Sequence, residues 1–253
     1  SRVSRGLGDV YKRQPLSEDL MAKLAGEELR DVPYYGILET KVGGADCVIS
    51  QTGFTGEKGY EIYVRDAHEN AEKMWNAVLE AGEEFGLMVI APAHHRRIAA
   101  GILSWGQDLD HETSPFQVNL SYQVPRNKEA DYIGKEALEK QRAIIDEGKA
   151  PFKMKMVGIT LGGKQITDYA PDFWIVTDTD ENEVGFVTSP WWSPELETNI
   201  ALAWVPWDAS EVGTKYMVKL PDEYSESPGV AVDAEIVDVP FRESVNPNKR
   251  EVQ

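Results

Sequence analysis

Glu61 stands in Tyr60-Glu61-Ile62-Tyr63-Val64, a carboxylate among apolar and aromatic neighbours, just after Ser50-Gln51-Thr52-Gly53-Phe54-Thr55-Gly56-Glu57-Lys58-Gly59. Three glycines at that spacing punctuate a turn between two strand-like runs and let the backbone come close to a ligand. A Glu inside such a strand either faces water or serves a bound polar partner. Farther on, Pro92-Ala93-His94-His95-Arg96-Arg97 gathers four basic side chains. Adjacent residues of a helix point roughly 100° apart, so His94 and His95 do not form a metal pair. No H-x-x-x-H, C-x-x-C or acidic spacing suggests a metal site elsewhere, and neither His has a Ser or Cys partner for a nucleophilic triad. This basic cluster either attracts an anion or caps a helix end. Trp191-Trp192, between Pro190 and Pro194, makes a rigid aromatic wall. It either closes a pocket or fills a core; against a sulfonium or ammonium group it would offer cation–π contact worth about 1–2 kcal/mol.

The elements around these residues fall into two kinds. After a short helical piece from Ser17 to Ala25, the run from Val32 to Val42 reads as a strand, turned by Gly43-Gly44 into an antiparallel return from Asp46 to Thr52. Tyr60 to Val64 is a further strand. Asp66 is expected to cap the next helix, with Glu69 completing a capping box. Ala71, Met74, Trp75, Val78, Leu79 and Phe85 recur at helical spacing, so that helix buries one face. A second helix is expected from about Ala93 to Ser104, and a charged surface helix opens at Gly134-Lys135-Glu136-Ala137-Leu138. Strands with covering helices describe an α+β layer containing an antiparallel sheet. From Phe152 onward six short β runs follow one another: Met154 to Leu161, Phe173 to Thr177, Glu183 to Thr188, Asn199 to Trp204, Tyr216 to Leu220 and Val230 to Val237. They predict a small C-terminal all-β barrel or sandwich. The expected organisation is therefore an α+β domain over 15–150, a β-barrel domain over 151–242, and a disordered tail over 243–253. Residues 1–14 resemble a translated adaptor sequence and are set aside from the fold.

Several blocks resemble the glycine-cleavage T-protein (aminomethyltransferase) family. Ser50 to Ile62 is similar to its "S-R-T-G-Y-T-G-E-x-G-F-E-I" signature. Arg97-Ile98-Ala99-Ala100-Gly101 through Gly106-Gln107-Asp108-Leu109-Asp110 resembles "R-L-E-A-G-x-x-x-Y-G-x-D-x-D", and Ser114-Pro115-Phe116-Gln117-Val118-Asn119-Leu120 the segment after it. Tyr132-Ile133-Gly134-Lys135-Glu136-Ala137-Leu138 is similar to "F-x-G-K-E-A-L". Val187-Thr188-Ser189-Pro190 to Leu196, with Asn199-Ile200-Ala201-Leu202-Ala203, resembles "V-T-S-G-x-x-S-P-x-L…N-I-A-L-A". Five blocks in order imply the family's middle and C-terminal parts, while its first third, with the catalytic Asp, has no matching motif here.

The resemblance implies a tetrahydrofolate-dependent one-carbon transferase moving an aminomethyl or methyl group to or from N5. Glu61 is then expected to hydrogen-bond the pterin, since a carboxylate meets two donors of an aminopyrimidine as a fork. Phe54 replaces the family Tyr and either stacks on the pterin or packs in the core. Arg97 pairs either with folate carboxylates or with Asp108, and Trp192 either closes the one-carbon pocket or fills the barrel. The catalytic residue is unassigned, and this chain alone is expected to retain part of a folate surface and little turnover. The implied partners are a small-molecule one-carbon donor and a lipoyl-carrier protein, met by a basic patch such as His94 to Arg97. Phe54 and Ala99, where the family has Tyr and Glu, leave two alternatives open. One is a folate-dependent demethylase of a sulfonium or aryl methyl ether; the other is a non-catalytic folate-binding regulatory or repair protein.

Charge bounds the remaining classes. The net charge is −17 over 253 residues, so nucleic acid and anionic membrane are not expected as partners. No apolar run approaches the roughly 18 residues of a membrane span. Cys47 is the one cysteine, which excludes an intramolecular disulfide and favours a cytoplasmic setting; in Ala45-Asp46-Cys47-Val48-Ile49 it reads as a buried filler.

Overall fold

Gly43 and Gly44, at φ 58° and 79°, turn the chain between strands β1 (Ile37–Val42) and β2 (Ala45–Ser50). Two successive left-handed residues match the right-handed twist of the flanking strands, and glycine adopts that conformation without a Cβ clash. The computed structural model describes residues 16–90, 93–170 and 172–241; the expectations for residues 1–14 and 243–253 lie outside the described residues. Two units make up the fold, one ending at Ala93 and the other beginning at His94. The boundary read from the sequence near Ala150 falls inside the second unit.

In the first unit β1, β2 and β3 (Glu61–Val64) form an antiparallel sheet in that order. Helices α1 (Ser17–Ala25) and α2 (Ala67–Gly82) pack on it. Val42, Cys47 and Ile49 are buried with Met21, Ala25 and Leu29, and Met74 and Val78 add the inner face of α2. The β1 strand is shorter than expected because Tyr35, at φ 64°, bends the chain immediately before it. Asp66 does not act as a side-chain cap: it lies in the left-handed region, and its carbonyl accepts the amides of Glu69 and Asn70. Trp75, assigned by periodicity to the buried face of α2, is 48% exposed.

The second unit opens with the short helix α3 (His94–Ala99), which ends five residues earlier than expected, followed by a long irregular segment and α4 (Lys135–Asp146). Gly101, at φ 69°, follows the end of α3, where a left-handed residue closes a helix without strain. Six strands then close into a barrel: β4 (Met154–Leu161), β5 (Trp174–Thr177), β6 (Glu183–Ser193), β7 (Thr198–Pro206), β8 (Lys215–Val218) and β9 (Val232–Val237). Their neighbour order is β4-β7-β6-β5-β8-β9, with β9 returning to β4. Closure removes both sheet edges.

Alternation along β7 explains its apolar run. Ala201, Ala203 and Val205 point into the barrel with Val157, Ile159 and Ile236, while Ile200, Leu202 and Trp204 face an outer cluster with Ile98, Ala99 and Val118. A strand covered on both faces carries no polar stripe. Gly185 of β6 permits the close approach of β7, because a Cβ there would lie 2.1 Å from the Trp204 carbonyl oxygen. Gly185→Ala is expected to destabilise the second unit by about 3 kcal/mol or more, read as a shift in the urea midpoint followed by tryptophan fluorescence.

Candidate functional site

The register of β2 and β3 decides where Glu61 points. Ser50 pairs with Glu61 and Val48 with Tyr63, while Ile37 and Glu39 of β1 lie opposite Ser50 and Val48. Since successive side chains alternate across a sheet, Glu61 and Tyr63 share the outward face, and Ile62 and Val64 pack against the core. Glu61 is exposed at the start of β3. Its Oε2 accepts hydrogen bonds from the Thr52 hydroxyl and, at 3.2 Å, from the Tyr63 phenol. Holding that proton against the carboxylate pushes the Tyr63 phenol above its ordinary range. The glycine-containing loop before β3 is tied to α1: Ser17 Oγ donates to the Lys58 carbonyl at 2.7 Å, and Lys58 Nζ lies 2.8 Å from Glu18. Phe54 sits in that loop, 47% exposed. Of the three loop glycines, Gly56 alone takes a positive φ, at 75°.

Arg97 and Trp192 belong to the second unit, and the first unit holds Glu61 and Phe54. Of the two partners weighed for Arg97, the structure shows Asp108. Nη1 of Arg97 donates to Asp108 Oδ2 at 2.9 Å and to the Ile102 carbonyl at 3.1 Å, and Nη2 donates to Ser189 Oγ at 2.7 Å. Asp108 is equally well served. Its Oδ2 also accepts the Ser104 amide at 2.7 Å, and its Oδ1 accepts the hydroxyls of Thr188 and Ser189, both at 2.6 Å. Consecutive strand residues normally face opposite ways. A bulge in β6 between Val187 and Ser189 lets Thr188 and Ser189 reach one carboxylate. The Arg97 and Asp108 side chains are 1% and 0% exposed. This buried pair clamps α3 and the segment after it onto β6.

The same Arg97 fixes the proton of His94. Its Nε–H donates to His94 Nδ1 at 3.3 Å, and a guanidinium keeps its protons. His94 therefore accepts at Nδ1 and carries its hydrogen at Nε2. The ring stacks on Trp191 at 5.3 Å and meets Tyr169 edge-on at 5.2 Å. Burial, then the neighbouring Arg97 charge, hold His94 below the ordinary histidine range, and Asp108 opposes them more weakly. Arg96 and Arg97 are 4% and 1% exposed, so the exposed basic patch expected over His94 to Arg97 is absent. Trp192 is half-buried in β6, where its amide donates to the Ile166 carbonyl at 2.8 Å. Ala99, the position of the family Glu, is 1% exposed within the outer apolar cluster.

Thr52 and Tyr63 were not singled out from the sequence. The available signal was the two-residue spacing of Glu61 and Tyr63, which puts both on one strand face. For the β6 bulge the available signal was Pro190, which cannot donate to the ladder.

Asp108→Ala leaves the Arg97 charge buried without its carboxylate, and is expected to cost about 3–5 kcal/mol of unfolding free energy by urea titration. His94, with a folded-state pKa below its unfolded value near about 6.5, binds protons more readily when unfolded. Its contribution to stability is complete above that value and is lost as pH falls towards the depressed folded-state pKa. Urea midpoints measured from pH 7 to pH 5 should fall in the native chain and fall less in His94→Gln.

Comparison with known proteins agrees with this architecture. A family model described as the GCVT N-terminal domain matches residues 14–128, and one described as the glycine cleavage T-protein C-terminal barrel domain matches residues 154–242. An aminomethyltransferase of Geobacillus sp. (strain WCH70) is 31% identical over 242 residues, covering 94% of this chain and 61% of that protein. One from Clostridium botulinum (strain Langeland / NCTC 10281 / Type F) is 32% identical over 234 residues, covering 91% and 60%. The crystal structure of glycine cleavage system aminomethyltransferase T from Bartonella henselae superposes with a TM-score of 0.66 at 21% identity, over 90% of this chain and 57% of that one; it supports the fold. The chain thus spans about 60% of the length of these curated relatives. Two family domains in sequence order, the second coinciding with the closed barrel, establish that this chain belongs to the glycine cleavage T-protein family.

Proposed function

We propose that this chain carries part of the tetrahydrofolate surface of an aminomethyltransferase, with Glu61 as the group that recognises the pterin. The carrying observation is a carboxylate displayed on the outward face of β3 with Oε2 already held by two hydroxyls. An ionised carboxylate accepts and does not donate, so its chemistry fits the amino and ring N–H groups of a reduced pterin. Bonds to a charged acceptor are about twice as strong as neutral ones and fix orientation. Phe54 lies in the loop leading to β3 and offers a ring face to the heterocycle, without the hydroxyl that a Tyr would bring. Arg97 is assigned to support rather than contact, because its guanidinium is spent on Asp108, Ser189 and the Ile102 carbonyl.

Bound tetrahydrofolate supplies the nitrogen nucleophile that exchanges the one-carbon unit. The work of this chain is to hold the heterocycle in one orientation, since positioning of donor against acceptor supplies much of the rate in such a transfer. A lipoyl-carrier protein presents the aminomethyl group on this reading, and the buried lone Cys47 suits a reducing, cytoplasmic setting. Titration of the chain with 5-formyltetrahydrofolate, a stable reduced folate, tests the assignment. Glu61→Ala is expected to weaken binding by about 2 kcal/mol, roughly thirtyfold in Kd; unchanged affinity by calorimetry rules the assignment out.

A further inference from the structure

Glu61 is not a bare carboxylate. It sits in a row of hydroxyls on the outward face of the sheet, and their pattern is asymmetric. Thr52 and Tyr63 both reach the same oxygen, Oε2. The Thr52 hydroxyl also lies 3.1 Å from Ser50 Oγ. A threonine has one hydroxyl proton, and the carboxylate can only accept. That proton is therefore directed to Glu61, while the Ser50 hydroxyl donates into the Thr52 oxygen. Tyr63 approaches from the other side, two residues along the same strand face. The phenol proton is bound more tightly than usual for the same reason. Tyr63 is placed by strand alternation, two residues after Glu61 in β3; Ser50 stands directly opposite Glu61, and Thr52, just past the end of β2, is held there by its bonds to Ser50 and Glu61.

We propose that Thr52 and Tyr63 are positioning residues that hold Glu61 through Oε2 and leave Oε1 as the principal acceptor for the N–H donors of a reduced pterin. The proposal rests on the assignment of Glu61 as the pterin ligand. Its physical content is preorganisation. A glutamate has several rotatable bonds, and a ligand meeting a mobile carboxylate must pay for its ordering. Two hydroxyl bonds impose that order before the ligand arrives. They also break the symmetry of the carboxylate, so the ligand is read at one oxygen first.

The test uses the full chain, 5-formyltetrahydrofolate as the probe and calorimetry as the readout. Thr52→Val and Tyr63→Phe remove one hydroxyl each with little change of shape, and each is expected to weaken binding roughly three- to tenfold, the size of one net hydrogen bond. Thr52→Ser keeps the hydroxyl and should restore affinity to within about twofold. In a Glu61→Ala background the same substitutions should change nothing further, because their effect passes through the carboxylate. If Glu61→Ala weakens binding while Thr52→Val and Tyr63→Phe do not, the positioning role is overturned and the assignment of Glu61 stands. Losses of equal size in the Glu61→Ala background overturn it too, since the hydroxyls would then act on the ligand or the fold. If Glu61→Ala leaves affinity unchanged, the assignment of Glu61 fails and this proposal with it. A ligand-free readout checks the contact itself: ultraviolet titration should show one tyrosine ionising at lower pH in Glu61→Gln than in the native chain. No such change overturns the Tyr63–Glu61 bond.

Discussion

The pairing register of β2 with β3 is the constraint on which the functional reading depends. Ser50 opposite Glu61 and Ile49 opposite Ile62 leave the carboxylate outside and the isoleucine within. Slipping the pair by one residue would exchange the two faces, burying an ionised group in a cluster of Met21, Leu29 and Val42. Desolvating an unpaired carboxylate costs several kcal/mol or more, whereas burying Ile49 contributes about 2 kcal/mol and the partly buried Ile62 less. The two terms favour the same register. The hydrophobic core of the first unit and the display of Glu61 are consequences of one alternation.

The second unit solves a different problem. A short helix and a long irregular segment must be held against a barrel whose outer face is apolar. Ile98, Ala99 and Val118 supply non-directional contact, and the Arg97–Asp108 pair supplies direction. A buried ion pair is weak evidence for stability in itself, because desolvation offsets its attraction. Here four donors reach the carboxylate from α3, from the segment after it and from both bulge residues of β6. That convergence specifies one docking geometry for α3. It also sets the histidine: with Nδ1 accepting from Arg97, His94 stays neutral and stacks on Trp191.

Much of this was legible in the residues. Six short β runs following one another marked the barrel, and Gly43-Gly44 marked the hairpin. Glu61 stood out because a lone carboxylate in a strand of Tyr, Ile and Val needs a reason. What escaped was geometry that sequence does not encode locally. Asp66 reads as a helix cap from its side chain, yet the chain enters α2 through a left-handed backbone that turns the cap's carbonyl, not its carboxylate, to the helix. As a patch, His94 to Arg97 reads as a basic surface, yet the helix carrying it packs on the barrel and buries Arg96 and Arg97; the alternative weighed for Arg97, a pair with Asp108, is the one formed. The convergence of Thr188 and Ser189 on Asp108 needs a bulge, whose one local sign is Pro190, a residue with no N–H to give the ladder of a strand paired on both sides.

The most direct measurement is a backbone and side-chain chemical-shift map of this chain titrated with a reduced folate. The account predicts that the largest changes fall on β3 and the end of β2, with contacts from the heterocycle to Glu61 and its hydroxyl neighbours. Perturbations confined to the barrel strands, or a heterocycle seated away from β3, would contradict it.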